Sequence, residues 1–325
     1  MDISVVIATY NGAKRLPEVL EKLRNQKVTQ PLQWEVLVVD NNSQDETASV
    51  VARYAREWRE DSELRYIFEQ QQGATYARCR GVKEAKTESL IGFLDDDNLP
   101  AETWLDCAYL FGKKHPNAGA YGGVIHPKLD IASPDYFSSI KGYLTIYDRG
   151  KKAFQYKRNA KPRRIPPAPG IIIRKQVWEE AIPTPENLLI GGRDERTMAA
   201  GEDAEMIFYI QNSDWEVWHN PQMEIWHHIP SYRLEKSYLL KLARGYGLSN
   251  HLTRLARYQP WQRPLIKLAT PFYTVRDGIR LLKYYVQYRS ILSSDFDKAC
   301  ELQVKFGQLY SPYLKLYANL RQYLE

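Results

Sequence analysis

Four times before residue 115 a short apolar run is followed by a stretch with helical periodicity, and this alternation constrains the fold more than any other feature of the chain. Ile3-Ser4-Val5-Val6-Ile7-Ala8 precedes Leu16, Val19, Leu20 and Leu23, which share one face of a 3.6-residue repeat. Trp34-Glu35-Val36-Leu37-Val38-Val39 leads into Ser43-Gln44-Asp45-Glu46, which has the spacing of a capping box and predicts a helix from Ser43 to about Trp58. Residues 64–68, a helix over about 74–85, the run Leu90-Ile91-Gly92-Phe93-Leu94 and a helix after Pro100 complete the series. Strands joined in this way run parallel with right-handed crossovers, so the expected class is α/β, a mostly parallel sheet flanked by helices. Reactive groups in such sheets gather beyond the carboxyl ends of the strands. Thr9-Tyr10-Asn11, Asp40-Asn41-Asn42 and Asp95-Asp96-Asp97 each follow an apolar run and are expected to face one crevice.

Charge divides the chain. Residues 1–230 carry 29 Lys+Arg against 33 Asp+Glu (29 − 33 = −4), whereas residues 231–325 carry 16 against 6 (16 − 6 = +10) and hold 12 of the 23 tyrosines. An acidic body over 1–230 followed by a basic, Tyr-rich helical extension over 231–325 is the expected organisation, and the negative body argues against nucleic-acid binding. Over residues 265–291, Leu265, Ile266, Leu268, Ile279, Leu282, Tyr285 and Val286 mix with Lys267, Arg276, Arg280, Lys283 and Arg289. Such a helix suits an anionic membrane interface or a cap on the catalytic domain, since periodicity reveals an apolar face without its partner. Cys79, Cys107 and Cys300 lack metal-ligand spacing, and no stretch approaches 18 uncharged apolar residues, so a cytoplasmic protein is expected.

Residues 126–169 lose periodicity and become basic and proline-punctuated, with Arg149, Lys157 and Arg164 among the cations, as in a functional lid or binding loop. Gly170-Ile171-Ile172-Ile173 reads as a short buried strand with a helix from about Lys175, and residues 203–212 as another helix opening on Gly201-Glu202.

Asp95-Asp96-Asp97 is the most informative triplet. Adjacent carboxylates after an apolar strand repel one another unless a cation is shared, and a hard divalent ion with positions left for phosphate oxygens relieves that conflict. In an extended segment Asp95 and Asp97 point one way and Asp96 the other. That pattern gives Asp97 the metal, Asp95 the ribose or the metal, and leaves Asp96 nearby. Asp40 at a strand end can accept from a base or a ribose hydroxyl. Arg78, four residues after Ala74, looks back toward the crevice with a guanidinium suited to diphosphate, and Arg80 suits a surface ion pair. Glu202 and Asp203 sit where a helix dipole keeps a carboxylate ionised, as a general base requires. His227 and His228 end a strand, and one of them could supply a further metal ligand.

Taken in order and spacing, these pieces resemble a family-2 glycosyltransferase with the GT-A fold, over about residues 1–230. The resemblance rests on Val5 through Asn11, Val38 through Asp45, Gly73 through Gly81, Phe93 through Pro100 and Gly201-Glu202-Asp203. It implies a nucleoside diphosphate sugar donor, a nucleotide half about 1–125 and an acceptor half about 126–230. Thr9, Tyr10, Asn11, Asp40, Asn42, Arg78, Asp95 and Asp96 would bind the nucleotide sugar. Asp97, Asp95 and His227 would hold Mn²⁺ or Mg²⁺, Asp203 would deprotonate the acceptor, and Gly170 and Glu202 would lie on the acceptor side. An inverting, non-processive transfer to a saccharide or lipid-linked saccharide follows, because the Gln-x-x-Arg-Trp motif of processive synthases is absent. The whole-chain pattern, including Trp226 through Tyr232, also resembles cyanobacterial enzymes assigned to extracellular or hormogonium polysaccharide assembly, which implies peripheral contact with the cytoplasmic membrane. A nucleotidyltransferase shares the sheet, aspartates and Mg²⁺, but opens with a glycine-rich phosphate loop where this chain has only Gly12. A catalytically inactive homologue that binds sugar nucleotide or membrane is the other alternative.

Overall fold

The computed structural model describes residues 1–190, 198–199 and 201–314. Its strands are β1 (Ile3–Thr9), β2 (Trp34–Asp40), β3 (Ser62–Phe68), β4 (Leu90–Asp95), β5 (Asn98–Pro100), β6 (Ala118–Leu129), β7 (Phe154–Gln155), β8 (Ile171–Arg174) and β9 (Glu216–Ile229). The helices are α1 (Leu16–Arg24), α2 (Thr47–Arg56), α3 (Ala74–Glu84), α4 (Trp104–Lys114), α5 (Phe137–Ile140), α6 (Lys175–Ala181), α7 (Glu202–Asn212), α8 (Lys236–Leu248), α9 (Asn250–Ala256), α10 (Arg263–Leu268), α11 (Thr270–Tyr288) and α12 (Phe296–Tyr310). The chain divides into two compact units, the first formed by Met1–Lys128, Thr145–Gly191 and Met206–His228, the second by Leu129–Leu144, Gly192–Glu205 and Ile229–Glu325. Two segments from within 1–230 thus cluster with the C-terminal helices.

The first unit is built on one sheet in the order β3-β2-β1-β4-β8-β6-β9-β5, with β7 also on β9. The four strands read from the apolar runs pair in parallel, and the remainder joins antiparallel through β8 on β4. Every residue of β2 is buried and β1 is nearly so, as expected of strands covered on both faces. Leu16, Val19, Leu20 and Leu23 form the buried face of α1. The core continues through Phe93, stacked on Trp178 at 5.1 Å between ring centroids, to Ile207 and Ile210 of α7. The basic stretch is laid down as an ordered strap. Phe154 pairs with His219, and the Arg163 guanidinium lies over Phe208 while donating to Gln211 Oε1 (2.8 Å).

In the second unit α8 and α12 pack closely enough to require glycine on both sides. A Cβ at Gly247 would lie 2.2 Å from the Val304 carbonyl oxygen, and one at Gly307 2.3 Å from that of Arg244. Among the described residues no helix is long and apolar enough to cross a membrane.

Candidate active site

Parallel register sets Thr9 opposite Asp40, Asp40 opposite Phe68 and Ala8 opposite Asp95. The carboxyl ends of β1 to β4 therefore form one edge, and the residues just beyond them are brought together. Asp40 is buried and accepts from the Ser43 N–H through Oδ1 (2.9 Å) and from the Tyr66 hydroxyl through Oδ2 (2.7 Å). Burial, and then the Asp40 carboxylate, push the Tyr66 phenol up, so it remains a donor across the neutral range. Asn11 and Asn42 adopt the left-handed conformation that asparagine tolerates, with φ of 50° and 64°. The Asn11 N–H donates to Ser43 Oγ (2.8 Å), and Asn11 Oδ1 accepts from the Gln44 N–H (2.8 Å). Ser43 therefore fixes the β1 loop instead of capping a helix, and α2 begins four residues later at Thr47. Tyr10 is exposed at this edge, and Asn42 is half-buried.

The aspartate triplet does not stay extended: β4 ends at Asp95 and the chain turns at residues 96–97 before β5. Each carboxylate consequently has its own surroundings. Asp95 Oδ1 accepts from Arg78 Nη2 (3.1 Å), and Arg78 itself is buried on α3. Arg80 pairs outward with Glu84 (3.0 Å). Asp96 accepts from the Thr9 hydroxyl (2.6 Å) and from Arg15 Nε and Nη2 (2.8 Å each). Burial pushes its carboxyl up against the opposing pull of Arg15 and Thr9. A Cβ at Gly12 would stand 1.9 Å from Thr9 Oγ1 and 2.9 Å from Asp96 Oδ2, so this knot demands glycine. Asp97 Oδ1 accepts from Asn98 Nδ2 (2.9 Å), and its carbonyl accepts from the His228 N–H (2.9 Å). Pairing of Asn98 with His227 brings the imidazole in, with Nε2 3.4 Å from Asp97 Oδ2.

Arg15 is the residue that sequence reading missed. It lies 81 positions from Asp96, a distance that no local spacing encodes. The helix opening at Leu16 and the lone Gly12 were the available hints.

Among the described residues no group of three or more His, Cys, Asp or Glu side chains surrounds a common point. Asp97 and His227 nevertheless form a two-donor set of carboxylate and imidazole, a donor chemistry that could hold a divalent ion such as Mn²⁺ or Mg²⁺.

Gly170, Glu202 and Asp203 complete the set of candidates. Gly170 is buried at φ 70°, donates to the Phe93 carbonyl (2.9 Å), and has no room for a Cβ, which would fall 2.6 Å from Ile225 Cγ1. Packing accounts for that glycine. Glu202 and Asp203 open α7 in a segment of the second unit. Glu202 is buried and accepts from the Gly201 N–H (2.9 Å), whereas Asp203 is half-buried in the first turn.

Known proteins are similar to this chain in sequence and in fold. The model of the family described as "Glycosyl transferase family 2" matches residues 4–179. Glycosyltransferase AglE of Haloferax volcanii is 25% identical over 190 residues, 58% of each chain. Poly(ribitol-phosphate) beta-N-acetylglucosaminyltransferase TarP of Staphylococcus aureus is 28% identical over 125 residues, 37% of this chain and 36% of its own. The matched stretch thus spans less than two thirds of either relative. In fold, the chain is similar to S. aureus TarS 1-349 in complex with UDP-GlcNAc (TM-score 0.54, 16% identity, 95% of this chain and 92% of that one). It is also similar to the mannosyltransferase PcManGT of Pyrobaculum calidifontis in complex with GDP-Man and Mn²⁺ (TM-score 0.56, 18% identity, 98% and 86%). A strand edge gathering Thr9, Asp40, Arg78 and the three aspartates, in a chain whose first half matches that model, makes this protein a member of glycosyl transferase family 2.

Proposed function

We propose that this protein transfers one sugar per encounter from a nucleoside diphosphate sugar, preferentially a UDP-sugar, to a hydroxyl of a saccharide or lipid-linked saccharide. The observation that carries the reading is Asp97 beside His227 at the same edge as Asp40 and the Arg78–Asp95 pair. Asp40 and Thr9 hold the nucleoside end, and Arg78, donating to Asp95 Oδ1, orients that carboxylate toward ribose. Asp97 and His227 would hold Mn²⁺ or Mg²⁺, which supplies positive charge for the departing diphosphate. Asp203 accepts the proton as the acceptor oxygen bonds to the anomeric carbon from the face opposite the leaving group. The carbon–oxygen bond to the diphosphate breaks with its electron pair, which inverts the centre. A general base in this role acts only as the nucleophile forms.

A matrix of UDP-, GDP- and dTDP-sugars, each with Mn²⁺, Mg²⁺ or chelator, tests the reading through donor hydrolysis. UDP-sugar turnover that chelator abolishes is expected. Equal turnover with chelator would remove the metal, and absence of turnover with every donor would remove the activity.

A further inference from the structure

The helix α11 is mounted with its apolar face outward. Phe272, Val275, Ile279 and Leu282 follow one another at spacings of three and four, and Leu265 and Leu268 continue the series in α10. Leu268 is 80% exposed and Phe272 69%, and the other four are all more than half exposed. The opposite line of α11 is the buried one. Asp277 is 5% exposed and is met by Arg276 (2.7 Å) and Arg254 (3.6 Å). One helical repeat further on, buried Tyr284 donates to Glu301 Oε2 of α12 (2.5 Å). An amphipathic helix in water ordinarily does the reverse, because each buried apolar side chain contributes roughly 1.5–3 kcal/mol. This unit holds α11 by its polar line and leaves the apolar line to something else.

Charge identifies what covers it. Between residues 249 and 294 there are eight Lys and Arg and a single acid, the buried Asp277. Lys267, Arg280, Lys283 and Arg289 are exposed along the stripe. Spacings of three and four would suit a coiled coil with a second copy. Such a pairing would set these cations against their own counterparts without an acid to meet them. A surface at once apolar and anionic satisfies both features, and Trp261, 72% exposed beside α10, adds a ring of the kind that sits at headgroup depth.

We propose that the outward face of α10 and α11 docks on an anionic lipid bilayer, with α11 lying in the headgroup plane, its apolar line inserted and its cations among the phosphates. This surface belongs wholly to the second unit and shares no residue with those assigned to the transfer.

The test is flotation of the full chain with vesicles of phosphatidylcholine containing about one third phosphatidylglycerol, against phosphatidylcholine alone. The wild-type protein is expected to float with the anionic vesicles only, and less as salt rises. Phe272→Gln combined with Leu282→Gln should weaken binding about a hundredfold. Lys267→Gln, Lys283→Gln and Arg289→Gln together should weaken it by a similar factor, roughly fivefold per cation. All these side chains are exposed, so both variants are expected to keep the wild-type unfolding midpoint and donor hydrolysis. A wild-type protein that stays at the bottom of the gradient, or an apolar variant that floats like wild type, would overturn the proposal. So would sedimentation showing a lipid-free dimer that the apolar variant dissolves. Flotation lost with hydrolysis intact removes only the docking, and the opposite result removes only the transfer reading.

Discussion

Asp96 and Asp277 are both buried carboxylates met by arginine, one at the edge of a sheet and the other on a helix. At the sheet edge, Asp96 takes both Arg15 nitrogens and the Thr9 hydroxyl, and so ties the loop after β1 to the turn after β4. On α11, Asp277 faces Arg254, Arg276 and Arg280 and fixes which line of the helix is buried. Buried ion pairs contribute little net stability, because desolvation offsets attraction, but each holds its surroundings in one orientation. In the first unit the oriented groups are Asp95 and Asp97. In the second the oriented surface is apolar. The same device thus prepares chemistry in one region and a docking face in the other.

That contrast breaks most easily at the carboxylates given catalytic work. Asp97→Ala should abolish the metal-dependent part of UDP binding by calorimetry and lower kcat/KM about a thousandfold, with little change in unfolding midpoint. Unchanged metal-dependent binding would remove Asp97 from the metal. Asp203→Asn should retain UDP affinity while transfer falls by roughly 10²–10⁴, the span of general-base contributions. Wild-type turnover would disqualify Asp203 as the base.

The two paired carboxylates should fail in a different currency. Asp277→Ala leaves the half-buried Arg254, its side chain only 15% exposed, without its counter-charge and should cost about 3 kcal/mol in denaturant unfolding, with UDP binding intact in the folded fraction. Asp96→Ala should cost less, about 1–2 kcal/mol, because Arg15 is 42% exposed and water can replace its partner. Unlike the first, it should also weaken UDP binding, since Thr9 and the β1 loop lose their anchor. Equal effects on UDP binding from both variants would erase the distinction between the units.

Sequence reading went furthest where the physics is local. Apolar runs located β1, β2 and β4, and the strand-end rule placed Asp40 and Asp95 at a common edge. It failed where partners are distant. Ser43 had the spacing of a cap, but the Asn11 N–H from 32 positions away claimed its hydroxyl. The alternation expected for the aspartate triplet assumed extended backbone, and the turn at residues 96–97 separated the three carboxylates into three environments. Periodicity revealed the apolar line of α11, but only the burial of Asp277 and Tyr284 showed that this line faces out.

The smallest predicted effect separates the units most finely. Tyr66 donates to Asp40 at the sheet edge, and Tyr284 donates to Glu301 between α11 and α12. Both phenols are pushed up, by burial first and then by the carboxylate that each one faces. A phenol with a folded pKa above its unfolded value of about 10 contributes stability that is fully present below that pH and is lost as pH rises toward the folded pKa. Phe at either position removes the bond and should cost about 1 kcal/mol at neutral pH. The gap between wild type and either variant should narrow above about pH 10, measured as urea midpoints along a pH series. At neutral pH the two variants should part on donor affinity. Tyr66→Phe frees one oxygen of Asp40, which the proposed function places against the nucleoside, and should weaken UDP several-fold. Tyr284→Phe, with the same loss of stability, should bind UDP as wild type does. A shift in UDP affinity from Tyr284→Phe would mean that the helical unit reaches the nucleotide, and none from Tyr66→Phe would remove Asp40 from the nucleoside site.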